Sequence, residues 1–106
     1  MAEKYIDGDL NELVSHLGKL RDATPVDDPN YEKITRQYRE ASDMALKAVE
    51  RAIDDADKDY VEFSQAITEA IQALKDAQDK IEKVSKTIKI AAKVISVAGK
   101  IMAKVV

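Results

Sequence analysis

Apolar residues recur at steps of three and four along most of this 106-residue chain. Such spacing places side chains on one face of a helix. Three series with this spacing follow one another, and each is flanked by polar residues. We therefore expect three helices, and they cover residues 4–21, 29–54 and 59–105.

Two polar stretches separate these series. The first, "DATPVDDPN", holds both prolines of the chain, and in it Asp28 stands directly before Pro29. This order is typical of an N-cap followed by proline at the first helical position. The second stretch, "DDADKDYVEF", contains Asp59 and Glu62 at the spacing of a capping box. Each stretch therefore predicts a turn followed by a new helix.

The third apolar series is unusually long and contains no proline. At 1.5 Å per residue, a helix of 40 or more residues would be roughly 60 Å long. The chain is predicted to be all-α, a single domain over residues 1–106, and an antiparallel three-helix bundle with a long C-terminal helix. The alternative is a four-helix bundle in which the last helix breaks near residues 85–87 and folds back.

Composition agrees with a helical protein, because 35% of the residues are charged and only 5% are aromatic, with three glycines and two prolines. The chain has no cysteine, which excludes disulfides and thiolate metal sites. Its first residues lack the basic and apolar regions of a signal peptide. No apolar run approaches the ~20 residues of a membrane-spanning helix. We expect a cytoplasmic protein, with non-classical secretion left open.

Residues that could carry chemistry are few. His16 is the only histidine, and its nearest acidic neighbour, Glu12, is a helical turn away. Asp55, Asp57 and Asp59 alternate like the first ligands of a calcium loop, but the glycine and the bidentate glutamate of that loop are missing. We therefore predict no enzymatic activity, no metal, no cofactor and no small-molecule substrate.

The basic and aromatic residues do not indicate a nucleic-acid site either. Tyr31 and Tyr38 have basic neighbours on the second predicted helix, but glutamate and aspartate alternate with them. Phosphate binding needs cations that acids do not neutralise. We expect no nucleic-acid partner.

Charge is distributed unevenly along a chain whose net charge is −3. Residues 1–60 hold 15 acids and 9 bases, whereas residues 85–106 hold five lysines and no acid. The sequence thus predicts an acidic body with a cationic end. At 100° per residue the lysines fall within a stripe about 60° wide; they are Lys86, Lys89, Lys93, Lys100 and Lys104.

Apolar residues fill most of the remaining circumference, about twice the ~100° arc of a core-facing helix. The segment could be a central helix of its own bundle, a surface that packs on another chain, or a helix in a membrane interface with lysines toward anionic head groups. We predict a non-catalytic interaction module, such as an adaptor, an inhibitor or an antitoxin-like partner, that binds another protein or a second copy of this chain. The alternative is a membrane-surface or pore-associated protein. The residues predicted to bind the partner are Ile88, Ile90, Val94, Ile95, Val97, Ile101, Met102 and Val105.

Overall fold

Four helices and a short two-stranded ribbon make up the structure, which is a computed structural model. It describes residues 3–49 and 52–104, and for residues 81 and 104 it describes the backbone alone. The elements follow one another in the order β1 (Glu3–Tyr5), α1 (Asp7–Ala23), α2 (Pro29–Ala48), β2 (Ala52–Asp54), α3 (Lys58–Asp79), a 3-10 turn (Ile81–Lys83) and α4 (Val84–Lys104). The all-α class is confirmed.

The prediction of a continuous C-terminal helix is wrong, and the alternative prediction of a four-helix bundle is correct. The break comes at residues 80–83, a little before the predicted 85–87. Lys80 is extended, with φ −137° and ψ 96°, and its N–H donates to the carbonyl of Ala77. One straight helix would reach roughly 60 Å or more, whereas the longest dimension of the molecule is 45 Å. Folding back lets both halves of the apolar series face the same core.

The ribbon was not predicted, because residues 4–6 and 52–54 continue the helical spacing of their neighbours. β1 and β2 pair in antiparallel fashion, with Lys4 opposite Ile53. Ile53 is buried, as is Ile6 directly after β1. Long-range strand pairing and the burial of these two isoleucines thus override a local pattern, and α2 ends at residue 48 instead of 54.

Aspartates cap two of the helices. Asp28 caps α2 as predicted, since its carboxylate accepts a hydrogen bond of 2.8 Å from the N–H of Asn30. The cap of α3 is Asp57 and not Asp59, because the Asp57 carboxylate accepts from the N–H of Asp59. The acidic cluster between α2 and α3 therefore serves a helix start.

The helices form two antiparallel hairpins, α1–α2 and α3–α4, that lie side by side. α1 packs on α3 and α2 packs on α4, while the diagonal pairs make far fewer contacts. The α2–α4 pair is parallel: Gln37 donates to the carbonyl of Ile88, and further along both helices Met44 lies against Gly99. The order around the bundle is therefore α1, α2, α4, α3, and the ribbon lies at the end where α1 begins and α2 ends.

The core contains both large apolar side chains and alanines. α1 contributes four buried leucines and α3 contributes Phe63 and Leu74, whereas α2 meets the core largely through alanine, and α4 through valine, isoleucine and two alanines. Small side chains allow helix axes to approach closely, and close-packed interiors tolerate little added volume. The buried alanines of α2 and α4 are Ala41, Ala45, Ala48, Ala91 and Ala98.

Gly18 has a packing role in α1. A Cβ at this position would lie 3.2 Å from Cε2 of Tyr38. The Arg21 guanidinium carbon lies 4.6 Å from the centroid of the same ring, within the range of a cation–π contact. The glycine thus lets the Tyr38 ring lie against α1, where it also meets Arg21.

Adjacent alanines of α4 give a matched test of this packing. Ala91 is fully buried and Ala92 is exposed. Ala91→Leu should lower the free energy of unfolding by about 1–3 kcal/mol, because three extra carbons have no space in the alanine-lined core. Ala92→Leu should change it by less than about 0.5 kcal/mol. Urea denaturation followed by circular dichroism measures both, and equal effects would contradict the assignment of α4 to the interior of the bundle.

Candidate functional site

The outer face of α4 carries only lysine, serine and alanine among its exposed described side chains. Lysines lie along its whole length, and α4 contains no acidic residue. The predicted lysine stripe is thus at the surface for the four lysines whose side chains are described. We call this surface the lysine face, and it consists of Ser85, Lys86, Lys89, Ala92, Lys93, Ser96, Lys100 and Ala103.

The apolar residues of α4 face their own chain. Val94, Ile95, Val97 and Ile101 are buried, each at most 6% exposed. Three further residues predicted to bind a partner, Ile88, Ile90 and Met102, are partly buried against the same core, and Val105 lies outside the described residues. The wide apolar arc is therefore that of a helix packed on two neighbours, α2 and α3. A partner could reach the four buried residues only if α4 moved away from the bundle.

The order of the helices also segregates charge across the molecule. α2 and α4, which are neighbours, together carry nine basic and three acidic residues. α1 and α3, on the other side, carry four basic and nine acidic residues. The sequence predicts a cationic end, but the structure places the cationic segment along one side, because α4 folds back and lies parallel to α2.

Two grooves border the lysine face. The α3–α4 groove, about 500 Å³ in volume, has lysines on its α4 side and acids on its α3 side. The α2–α4 groove, about 310 Å³, adds Lys33 and Arg36 of α2 together with Glu40. Residues that line the α3–α4 groove are Thr68, Glu69, Gln72, Ala73, Asp76, Lys83, Lys86, Thr87 and Ile90.

The lysines that border these grooves make no ion pair within the described part of the chain. The ion pair found there joins Arg21 to Asp22 at 3.6 Å, on α1. Glu69 and Asp76 line the same groove as Lys86, but the groove keeps the opposite charges more than 4 Å apart. Both rims therefore present charge to solvent or to a partner.

Sequence reasoning identified the lysines but missed the groove residues. Lys33, Arg36, Glu69 and Asp76 come from helices that are distant in sequence from α4, and only the order of helices around the bundle brings them beside it. In the sequence these residues can be recognised only as part of the polar face of an amphipathic helix, and that pattern does not indicate which helices are neighbours.

Among the described residues, two buried polar side-chain atoms lack a hydrogen-bond partner, one on α1 and one on α2 beside α4. They are Nδ1 of His16 and Oε1 of Gln37. Burial lowers the pKa of His16 from its ordinary value of 6.5, and the nearby Lys19 and Lys75 lower it further, while Glu12 opposes them. Burial also raises the pKa of Asp9, with Glu12 and Asp7 adding to the effect. Within residues 3–49 and 52–104, no three acidic or histidine side chains come together in a way that could hold a metal ion.

None of the helices in the described ranges combines the length and the hydropathy needed to cross a membrane. Searches of protein-family models, curated proteins and solved structures found no match to this chain. The charge, burial and geometry of the lysine face are therefore the basis of the function proposed below.

His16 should make the folded state sensitive to mild acid. Its pKa is lower in the folded chain than in the unfolded chain, so the unfolded chain takes up the proton more readily. The contribution of His16 to stability is complete above pH 6.5 and is lost as the pH falls from 6.5 through the folded-state pKa. His16→Gln should flatten the dependence of the urea midpoint on pH between 7.5 and 5.5. An unchanged slope in the variant would contradict this.

Gln37 allows a test of the polar contact between α2 and α4. The residue is 8% exposed, and of its two side-chain polar atoms only Nε2 has a hydrogen-bond partner. The Ile88 carbonyl that it contacts lies within α4, where it also accepts the regular helical hydrogen bond. Gln37→Met should therefore leave the free energy of unfolding unchanged or raise it by up to about 1 kcal/mol. Gln37→Glu should lower it at pH 8, because the buried position cannot hydrate the charge. A loss of more than about 2 kcal/mol in Gln37→Met would show that the bond to Ile88 is essential.

Proposed function

We propose that the protein is a non-catalytic interaction module that binds a protein partner through the lysine face of α4. The observation that carries the proposal is a row of exposed lysines with no acid on the same helix and no ion pair within the described residues. Unpaired charges of one sign along a rigid helix attract a complementary surface and orient it during encounter.

The non-catalytic part of the proposal rests on the inventory of side chains. One histidine and no cysteine leave few candidates for a general base or a nucleophile. His16 lies on α1, and α1 makes far fewer contacts with α4 than α2 and α3 do. The grooves that border α4 are lined by lysine, arginine and carboxylates together with threonine, glutamine, alanine and isoleucine, a composition that suits recognition by charge and shape.

The burial of the α4 apolar residues favours a protein partner over a membrane. An interfacial helix inserts its apolar face among lipid chains and keeps its cations at the head groups. In this fold Val94, Val97 and Ile101 already contact the core. Membrane binding through the lysine face would therefore depend on charge alone, unless the bundle opened.

The lysine face differs from the apolar surface that the sequence predicts to bind the partner. The apolar residues of α4 stabilise the bundle, and the exposed lysines between the two grooves become the contact residues. Ile90 connects the two sets, since it is partly buried and lines the α3–α4 groove beside Lys86.

A lysine-to-serine series tests the proposal. The variant Lys86→Ser/Lys89→Ser/Lys93→Ser removes three charges from the lysine face, and Lys4→Ser/Lys47→Ser/Lys58→Ser removes the same charge from exposed positions on β1, α2 and α3. Each would be used as bait in the native host lysate at several salt concentrations, with the bound proteins quantified by mass spectrometry. We expect the first variant to lose its partner by about tenfold or more, since three charge-assisted contacts disappear, and the second to keep it.

Circular dichroism and urea unfolding should show that both variants are folded, because the replaced side chains are exposed. Equal recovery of the partner by both variants would contradict the proposal. Binding to vesicles of anionic lipid, with no protein recovered, would favour the membrane alternative.

A further inference from the structure

The rims of the α3–α4 groove carry opposite charges. Glu69 and Asp76 project from α3, whereas Lys86 and Lys89 project from α4. Thr87 marks the register of the two helices, because its hydroxyl, 2.9 Å from the carbonyl oxygen of Lys83, also lies 3.3 Å from that of Ala73 on α3. The charges therefore occupy defined heights along the groove.

The acids and lysines lie at matching heights. In the antiparallel hairpin Ala73 is level with Thr87, so each step toward the start of α3 is a step toward the end of α4. Glu69 is then level with residue 91, between Lys89 and Lys93, and Asp76 is level with residue 84; Lys89 and Lys86 are each two residues away, about 3 Å along the helix. A second cavity, of about 200 Å³, continues this groove toward the end of α4; Asp76 lines the first cavity with Lys83 and Lys86, and Glu69 lines both, with Lys86 in each and with Lys89 and Lys93 in the second.

This pattern is self-complementary under one particular symmetry. A twofold axis parallel to the helices, placed above the groove, lays α3 of one copy over α4 of the other at the same height. Glu69 of each copy then meets Lys89 of the other, and Asp76 meets Lys86. A twofold axis across the helices would instead place α3 over α3 and bring acids against acids. Isologous twofold contacts of this kind are the commonest in soluble oligomers.

We propose that the α3–α4 groove is a homodimer interface in which two copies pack with a twofold axis parallel to their helices. The inference rests on the proposed function, since it names a second copy of this chain as the protein that the lysine face binds. The floor of the groove, formed by Ala66, Ala73 and Ile90, supplies the apolar centre of the contact.

A partner that is only acidic fits this groove less well. Such a partner would satisfy the lysines but meet repulsion from Glu69 and Asp76, and like charges across an interface are unfavourable. The second copy presents both signs in the required order. A contact along α4, which is about 30 Å long, across the 21 Å width of the molecule, would bury about 600 Å² per copy, or about 1,200 Å² in all, the lower bound for specific interfaces.

Two charge variants separate this arrangement from other dimers. The first, Glu69→Lys/Asp76→Lys, makes both rims basic, and the second, Lys86→Glu/Lys89→Glu, makes the paired positions of both rims acidic. Each alone should be monomeric at concentrations where the unchanged chain is dimeric, with a dissociation constant raised by about tenfold or more. An equimolar mixture of the two should form a heterodimer, because every contact then joins opposite charges.

Sedimentation equilibrium at low and at physiological salt measures these associations, and Glu32→Lys/Asp43→Lys on α2 is the control that should leave the dimer unchanged. The inference would be overturned if the unchanged chain were monomeric at 100 mM salt and about 100 μM protein, because a dimer with a micromolar dissociation constant is largely formed at that concentration. A dimer that both variants retain would also overturn it, because the interface would lie elsewhere. If the chain is monomeric but Lys86→Ser/Lys89→Ser/Lys93→Ser still loses a protein partner, the proposed function survives and the dimer does not.

Discussion

The apolar circumference of α4 is the constraint on which the rest of the structure depends. A helix that is apolar around most of its circumference must be covered on two sides. The reversal at residues 80–83 brings α4 back over α3, and the alanines of α2 let a second helix approach closely. What remains uncovered is the lysine face, so burial of the apolar arc defines where the charged surface lies.

Polar contacts then determine how α4 is placed within that packing. Thr87 joins it to α3 and Gln37 joins α2 to it, and both contacts lie within the first turns of α4. Apolar packing alone is weakly specific, because cores tolerate repacking when the total volume and the pattern are kept. The two polar contacts near the start of α4 supply that specificity, at the cost of one buried oxygen without a partner.

Helix content and the cap at Asp28 could be predicted from the sequence, because both follow from spacing and local chemistry. The choice between a fold-back and one continuous helix could not, since no proline or glycine marks residues 80–83 and the apolar phase continues through them. The ribbon was missed for a related reason: Ile53 continues a helical pattern but is buried by pairing with β1, about 50 residues away. Among the candidate site residues, the lysine stripe follows from the wheel, whereas Glu69, Asp76 and Lys33 depend on which helices are neighbours.

The ribbon has a consequence for the order of folding. By pairing Glu3–Tyr5 with Ala52–Asp54 it closes β1, α1, α2 and β2 into a unit that is contiguous in sequence. Such a unit can form before α3 and α4 are available, and its contacts within the α1–α2 hairpin are local and therefore fast to make. Completion of the bundle then requires α3 and α4 to dock on it as a second hairpin. The first half of the chain would thus serve during synthesis as the template on which the second half folds.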